Sequence, residues 1–559
     1  MNSKELRRKF LDFFEKRGHI IVPSSSLLPT DPSVLFTTAG MQQFKEYFLG
    51  KESPYGPKIT SCQKCFRTSD IEEVGDNTHL TFLEMLGNFS FGDYFKKKAI
   101  EWSYEFITKE VGLEIDYVSV FKGDKEVPED KESEKVWQDL GISKEKIKKF
   151  GRKDNFWGPT GEEGPCGPTT EIYVNGVELW NLVFNEYYQS RDKKLILLKQ
   201  KGVDTGMGFE RLAMVAQGKS SVFETDLFEP IIKDLRLKIK DLRNEKAERI
   251  IVDHIKSAVF LTAEGILPSN VEQGYVLRRV LRRAIRFCKL LELPKNSLIP
   301  LAQKVVEIYQ DVYPEVKSKE TDILTVIQNE EEKFEKTLEK GLKQFEKISA
   351  KRAISGTDAF HLYDTYGFPL ELTIELAKER NLKVDEKGFK KSFKKHQEVS
   401  RAGREAKFGG IGKEATYEAT KLHTATHLLH QALRQVLGKH IKQMGSDITP
   451  QRLRFDFSHS QKMTEDELKK VEEIVNQKIK EDLEVKKEEM CYTDAVESGA
   501  LAFFKQKYPE RVTVYSIGSF SKEICAGPHV KRTSELGHFK IIKEESSGSG
   551  VRRIRAILE

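Results

Sequence analysis

The sequence predicts an α+β protein of several domains: a mixed or antiparallel sheet domain, a helical domain and a smaller α+β domain. Three observations carry this. The 559 residues, at about 100–200 per domain, make roughly three to five domains. Residues 1–240 mix helical and strand-like patterns and hold most of the Gly-Pro punctuation, whereas 241–403 turn to long stretches rich in Lys, Glu and Leu. Residues 400–417 (SRAGREAKFGGIGKEATY) are polar and glycine-containing, the texture of a connector. The expected division is 1–240, 241–403, a linker at 404–417, and 418–559.

Composition narrows the class. With 38% hydrophobic and 32% charged residues, each domain can bury a core, and disordered or fibrous classes are excluded. No stretch approaches the ~18 apolar residues of a membrane span, and the N-terminus (MNSKELRR) lacks a signal-peptide apolar region. Six cysteines in so long a chain suit a reducing cytoplasm better than a disulfide framework. A net charge of +6 is mild, so nucleic-acid binding has to rest on local clusters.

Along the chain, residues 3–17 predict a helix with Leu6, Phe10, Leu11 and Phe14 on one face. In 61–67 (SCQKCFR) an arginine ends an apolar strand, before a polar loop and a second strand at 79–93. Arg67 placed so can offer guanidinium to a phosphate, or lie on the surface. Cys62 and Cys65 form a CxxC, but zinc needs four ligands and this offers two. Residues 179–184 (LWNLVF) read as a strand. In 203–213 (VDTGMGFERLA) two glycines allow close backbone approach and Arg211 falls in the first turns of a helix. The dense alternating charge of 329–348 reads as a solvated helix face.

Residues 275–290 (YVLRRVLRRAIRFCKL) pair an apolar stripe with Arg278, Arg279, Arg282, Arg283 and Arg286 at the same four-residue spacing. Two readings stand: a phosphate-contacting face, or arginines paired with acids of neighbouring helices. After the connector, a helix is expected over 420–437 and a strand over 551–558. His423 and His427, at i and i+4, share a helix face, and Cys525 and His529 follow a Gly-Pro turn. Two His, a Cys and another His are a borderline-soft set that suits zinc.

LFTTAGMQQFKEYFLG, FLEMLGNFSFGDYF, NFWGPTGEEGPCGPTTEI, ELWNLVF and VDTGMGFERLA, in this order, resemble the alanyl-tRNA synthetases. Residues 61–93, 203–213 and 29–41 match motifs 2, 3 and 1 of the class II aminoacyl-tRNA synthetases. The resemblance implies an antiparallel-sheet aminoacylation domain, a helical tRNA-recognition domain and an editing domain. It implies that Arg67 holds the ATP α-phosphate and the amino-acid carboxylate, with Arg211 on the ATP tail. His79, Met85, Gly206 and Gly208 join them in the ATP site, with Mg²⁺ accompanying ATP. Asp204 takes the alanine ammonium, and Trp157 and Asn181 line the alanine pocket. In-line attack of a carboxylate on ATP needs positioning and charge neutralisation, which these residue types supply.

The resemblance also implies that Asn270 and Asp364 read the G·U pair of the tRNA-Ala acceptor stem, and it favours the RNA reading of Arg278 and Arg282. It implies one zinc on His423, His427, Cys525 and His529, in a site where Thr426, Gln443 and Cys525 serve hydrolysis of seryl- or glycyl-tRNA-Ala. A pocket sized for a methyl rejects a hydroxymethyl only by about 10², which is why editing is needed. There are departures from the family pattern. The loop 68–78 is short and lacks a usual lysine, Leu83 replaces an aromatic, and Ala526 and Pro528 replace Gly and Thr. The β-barrel usual before the editing domain and the dimerising domain usual after it have no counterpart here, so a monomer is expected. Asp204, Arg67 and Arg211 together argue against a hydrolase-only protein and against a non-catalytic RNA-binding relative.

Overall fold

A computed structural model describes residues 1–31, 33–239, 244–350, 353–396, 416–459, 461–501, 511–548 and 551–559. Most of the expected linker, at 404–415, lies outside the described residues, as does the expected boundary at 240/241. The chain forms two compact bodies: Met1–Ala353 with His361–Lys383, and Ile354–Phe360 with Val384–Glu559.

The first body is built on a nine-stranded sheet. Its strands are β1 (Ile20–Ile21), β2 (Lys58–Phe66), β3 (Phe82–Phe91), β4 (Tyr117–Phe121), β5 (Ile147–Phe150), β6 (Phe156–Trp157), β7 (Gly164–Val174), β8 (Val177–Gln189) and β9 (Leu195–Gly208). The order is β1-β2-β3-β9-β8-β7-β4-β5, with β6 on β7. Pairing is antiparallel through the centre, from β2 to β4, and parallel only at the two edges. Helix α1 (Ser3–Glu15) opens on a capping box between Asn2 and Glu5. It buries Leu6, Phe10, Phe13 and Phe14, so Phe13 takes the core position expected of Leu11. Phe10 lies 5.6 Å from the Trp180 ring of β8.

Helix α2 (Phe209–Ala216) follows β9 directly. The helices α3 (Glu245–Ala263), α4 (Glu272–Leu290), α5 (Leu298–Tyr309), α6 (Glu320–Ser349) and α7 (Leu370–Lys378) belong to the same body. Helix α3 is buried nearly all round, and its polar residues are matched by groups beside the sheet, just before β3 and on α2. Asp253 accepts hydrogen bonds from the Thr81 N–H at 2.9 Å and the Thr81 hydroxyl at 2.6 Å. Lys256 Nζ lies 2.7 Å from Glu210. The carboxylate of Glu210 accepts from the Glu84 N–H, and Glu84 is itself held by Arg7 at 2.6 Å and by the Tyr313 hydroxyl at 2.8 Å. The charge on α6 is only partly solvated: Glu330 and Glu331 are buried, which corrects the expected solvated face at those two positions.

Cys62 and Cys65 sit three apart on β2, so their side chains point to opposite faces. The Cys62 thiol is 3.4 Å from Glu84, while Cys65 packs among Met85, Phe89 and Phe44. One metal cannot take both.

In the second body, α8 (Tyr417–Leu437) and α9 (Glu465–Lys480) accompany two sheets. One has the order β10 (Gln443–Thr449), β11 (Arg452–Ser458), β16 (Val551–Leu558), β15 (Phe539–Gly548); the other is β12 (Val485–Cys491), β13 (Arg511–Ile517), β14 (Ser521–Ile524). Leu429, Leu433, Phe455, Phe457, Val471 and Ile554 form its core.

Lys256→Met should destabilise the first body by about 3–5 kcal/mol, because Glu210 would stay buried without its cation. All four tryptophans (Trp102, Trp137, Trp157, Trp180) lie in that body, so their fluorescence during denaturant unfolding reads it alone. An unchanged midpoint would contradict this role.

Candidate functional site

The central strands β9, β8 and β3 floor a cavity of about 300 Å³. Its lining includes Arg67, His79, Met85, Trp157, Asn181, Asp204, Gly206, Gly208 and Arg211, which gathers every residue expected around ATP and alanine into one space. Arg67 leaves the end of β2 with its Nε donating to the Thr38 carbonyl at 3.2 Å. Arg211 lies in the first turn of α2 and donates to the Glu178 carbonyl at 3.0 Å. In the loop between β2 and β3, Asp76 accepts from the Thr78 and His79 N–H groups and from His79 Nδ1. Leu83 is on the wall. A Cβ on Gly206 would come 2.9 Å from the Met85 sulfur, so only glycine leaves Met85 its place.

Asp204 carries the unusual electrostatics. Its carboxyl is buried, makes no ion pair or side-chain hydrogen bond among the described residues, and is pushed up to about 7 by burial alone. It sits across from Val183 in the β8–β9 register. Two neighbouring acids went unseen in the sequence. Glu171 is pushed up to about 7 by burial and by the nearby Glu178. It accepts from the Ser119 hydroxyl at 2.9 Å and from Asn181 Nδ2 at 3.1 Å. That bond fixes the Asn181 amide, whose buried Oδ1 has no partner. Glu171 faces Asn181 through strand register, and no spacing within either segment could have revealed it.

The arginines of α4 are largely spent inside the fold. Arg282, 2% exposed, donates to Glu330 at 2.6 Å and to the Gly367 carbonyl. Burial, partly offset by Glu330, pulls its guanidinium down to about 10, still charged at neutral pH. Arg278 lies 3.7 Å from the same Glu330. Arg283 pairs with Glu375 at 2.8 Å, Arg286 with Glu379 at 2.6 Å, and Arg279 with Glu72. Glu330 of α6 thus holds the buried Arg282 and lies near the half-buried Arg278, the pairing with acids of neighbouring helices that a buried guanidinium needs. Asn270, in the loop before α4, and Asp364, in the helix Gly356–Tyr366, are both exposed. Arg282 grips the Gly367 carbonyl just beyond Asp364.

In the second body, His423, His427, Cys525 and His529 present four ligand atoms all within 4.8 Å of one another. Tetrahedral zinc sets neighbouring donors roughly 3.3–3.8 Å apart, and Cys525 Sγ is 3.4 Å from His423 Nε2. Two of the three Nδ1 atoms are engaged elsewhere: His423 Nδ1 with the Pro528 carbonyl at 3.1 Å, and His529 Nδ1 with the Thr424 hydroxyl at 3.2 Å. His529 Nε2 is buried without a partner. Burial lowers all three imidazoles, favouring the neutral, ligating form. The donor set fits zinc. A Cβ on Gly527 would meet the His423 ring at 2.1 Å, so the turn before Pro528 has to carry glycine. Thr426 is buried with its hydroxyl on the Leu422 carbonyl. Gln443 pairs by its backbone with Phe457, and its side chain makes no hydrogen bond among the described residues. Thr424 and Glu523 were not foreseen.

Because Arg282 is enclosed, Arg282→Ala should lower stability by about 3–5 kcal/mol while leaving the salt dependence of RNA affinity unchanged. Loss of about one unit from the slope of log affinity against log salt would restore it as a phosphate contact.

Among the described residues no helix is long and apolar enough to cross a membrane. A family model described as tRNA synthetases class II (A) matches residues 5–444, and one described as the Threonyl and Alanyl tRNA synthetase second additional domain matches 512–555. The chain is similar to proteins named alanine–tRNA ligase. The one from Borrelia hermsii is 49% identical, with all of both chains covered. The one from Treponema denticola is 49% identical over 99% of this chain and 98% of the relative. That of Thermotoga maritima is 39% identical, with 100% of this chain and 80% of the relative covered. The chain belongs to the alanyl-tRNA synthetases, within the class II synthetase family.

Proposed function

We propose that Asp204 receives the ammonium of alanine and that Arg67 and Arg211 hold ATP, within an alanine–tRNA ligase that also edits its product. The observation that carries this is the buried, unpartnered carboxylate of Asp204 in a cavity whose rim bears two arginines. An amino-acid ammonium is the cation that such a group lacks. Asn181, its amide turned by Glu171, offers Oδ1 as a further acceptor, and Trp157 limits the side-chain space. The alanine carboxylate oxygen then attacks the α-phosphorus of ATP in line. The new C–O–P bond forms as the bond to the bridging oxygen breaks, and pyrophosphate leaves. Arg67 offsets the charge that accumulates on the α-phosphate, and Arg211 orients the tail. Mg²⁺ travels with ATP in this class. In the second step a ribose hydroxyl of the tRNA end attacks the alanyl carbonyl and AMP leaves.

Asn270 and Asp364 are assigned to tRNA-Ala, as exposed amide and carboxylate groups suited to wobble-pair edges in a shallow groove. The arginines of α4 act behind them as braces. For the second body, His423, His427, Cys525 and His529 would hold one zinc, which with four protein donors supplies structure and substrate positioning, and with an open position supplies an activated water. Hydrolysis of seryl- or glycyl-tRNA-Ala belongs to this body, where Thr426 and Gln443 stand beside the cluster in the sequence match.

Alanine-dependent ATP–pyrophosphate exchange tests the ligase site. Asp204→Asn should lose about 1.5–3 kcal/mol of transition-state stabilisation, roughly tenfold to a hundredfold in kcat/KM for alanine. Near-normal exchange would remove Asp204 from the amino-acid site.

A further inference from the structure

Behind the four ligand candidates lies a second buried polar group that their chemistry does not require. Glu523, 4% exposed, places one carboxylate oxygen 2.9 Å from His430 Nδ1 and the other 3.4 Å from His427 Nδ1. The placement follows from two periodicities. His423, His427 and His430 fall at i, i+4 and i+7 on α8, one stripe of the helix. Glu523 and Cys525 are two apart, and the ladder continues past β14 through the Cys525 N–H on the Thr513 carbonyl. Alternation therefore sends both side chains to the same side, toward that stripe. His427 Nδ1 has no hydrogen-bond partner at its present distance, and Glu523 is the acceptor that faces it. His430 is anchored in the core against Phe455, ring centroids 5.5 Å apart.

We infer that Glu523 is the positioning residue for the metal-ligating imidazole of His427, with His430 clamping Glu523. The inference rests on the zinc reading above. His423 and His529 already have acceptors or hydroxyls on Nδ1, so each presents Nε2 inward. For His427, among the described residues, Glu523 is the acceptor facing Nδ1. A carboxylate receiving Nδ1–H fixes the tautomer and ring angle and makes Nε2 a stronger donor to the metal. His430 occupies the other oxygen, so the carboxylate cannot rotate away. The distance at His427 should close to a hydrogen bond once Nε2 is ligated.

The test is zinc affinity of the full-length chain, measured by competition with a chromophoric chelator, for wild type, Glu523→Gln, Glu523→Asp and His430→Ala. Glu523→Gln should bind zinc about 10–100-fold more weakly and shift the absorption bands of the cobalt-substituted protein. His430→Ala and Glu523→Asp should weaken binding less, in the same direction. Seryl-tRNA-Ala hydrolysis by Glu523→Gln should fall and recover as zinc is raised, with alanine-dependent exchange unchanged. Zinc affinity of Glu523→Gln within twofold of wild type would overturn the inference. If that variant fails to fold, wild-type affinity in both other variants would overturn it equally. Wild type that takes up no zinc would overturn the zinc reading itself, and this inference with it.

Discussion

Glu84 and Glu210 lie beneath the aminoacylation cavity, one on the central strand β3 and one at the start of α2, and neither is tolerable there alone. Burial by itself would push Glu84 up, but Arg7 wins and holds it below the usual carboxylate range. Lys256 keeps its charge because Glu210 outweighs the cost of burial. The two cations come from helices 249 positions apart, as Arg7 and Lys256 stand in the sequence. Satisfying two acids thus fixes the N-terminal helix on one side of the sheet and α3 against it. Such an arrangement contributes geometry more than stability, since an apolar replacement of the whole set would cost little. Its value is rigidity: Arg211 is one residue from Glu210, and Met85 one from Glu84. Substrate contacts supported in this way need no reorganisation during the reaction.

The same principle explains α4. A helix with five arginines and an apolar stripe looks, in isolation, like a face for phosphate. In the folded chain Glu330 reaches it from α6, Glu375 from α7 and Glu379 from the residue just after α7. Its charge becomes the tie that positions the segment around Asp364. The second body repeats the pattern on a smaller scale, with Glu523 serving two imidazoles of α8.

What could be read in advance divides along a physical line. Local periodicity revealed the helices and strands: residues 3–17, 179–184, 420–437 and 551–558 all took the expected form, with ends shifted by a few residues. His423, His427, Cys525 and His529 were recognisable because ligand chemistry restricts residue types, and the motif match named the cavity residues. Pairings across distant segments were not readable. Glu171 on Asn181, Glu330 on Arg282, Thr424 on His529 and Glu523 on His427 each depend on register or helix packing, which no short window contains. The CxxC of β2 was readable once its strand period was known, because three residues apart in a strand means opposite faces.

Asp204 faces the cavity as a buried acid with no cation beside it among the described residues. Held near 7 by burial, it is largely protonated at pH 6 in the free protein, and an incoming ammonium should drive the proton off. The most direct measurement is calorimetry of alanine binding at pH 6 in buffers of different ionisation enthalpy. Release of close to one proton per alanine is expected at pH 6, falling as pH rises through 7, small by pH 8 and absent in Asp204→Asn. Binding enthalpies independent of the buffer at pH 6 would contradict it, since Asp204 would then be ionised before alanine arrives, or would not meet the ammonium at all.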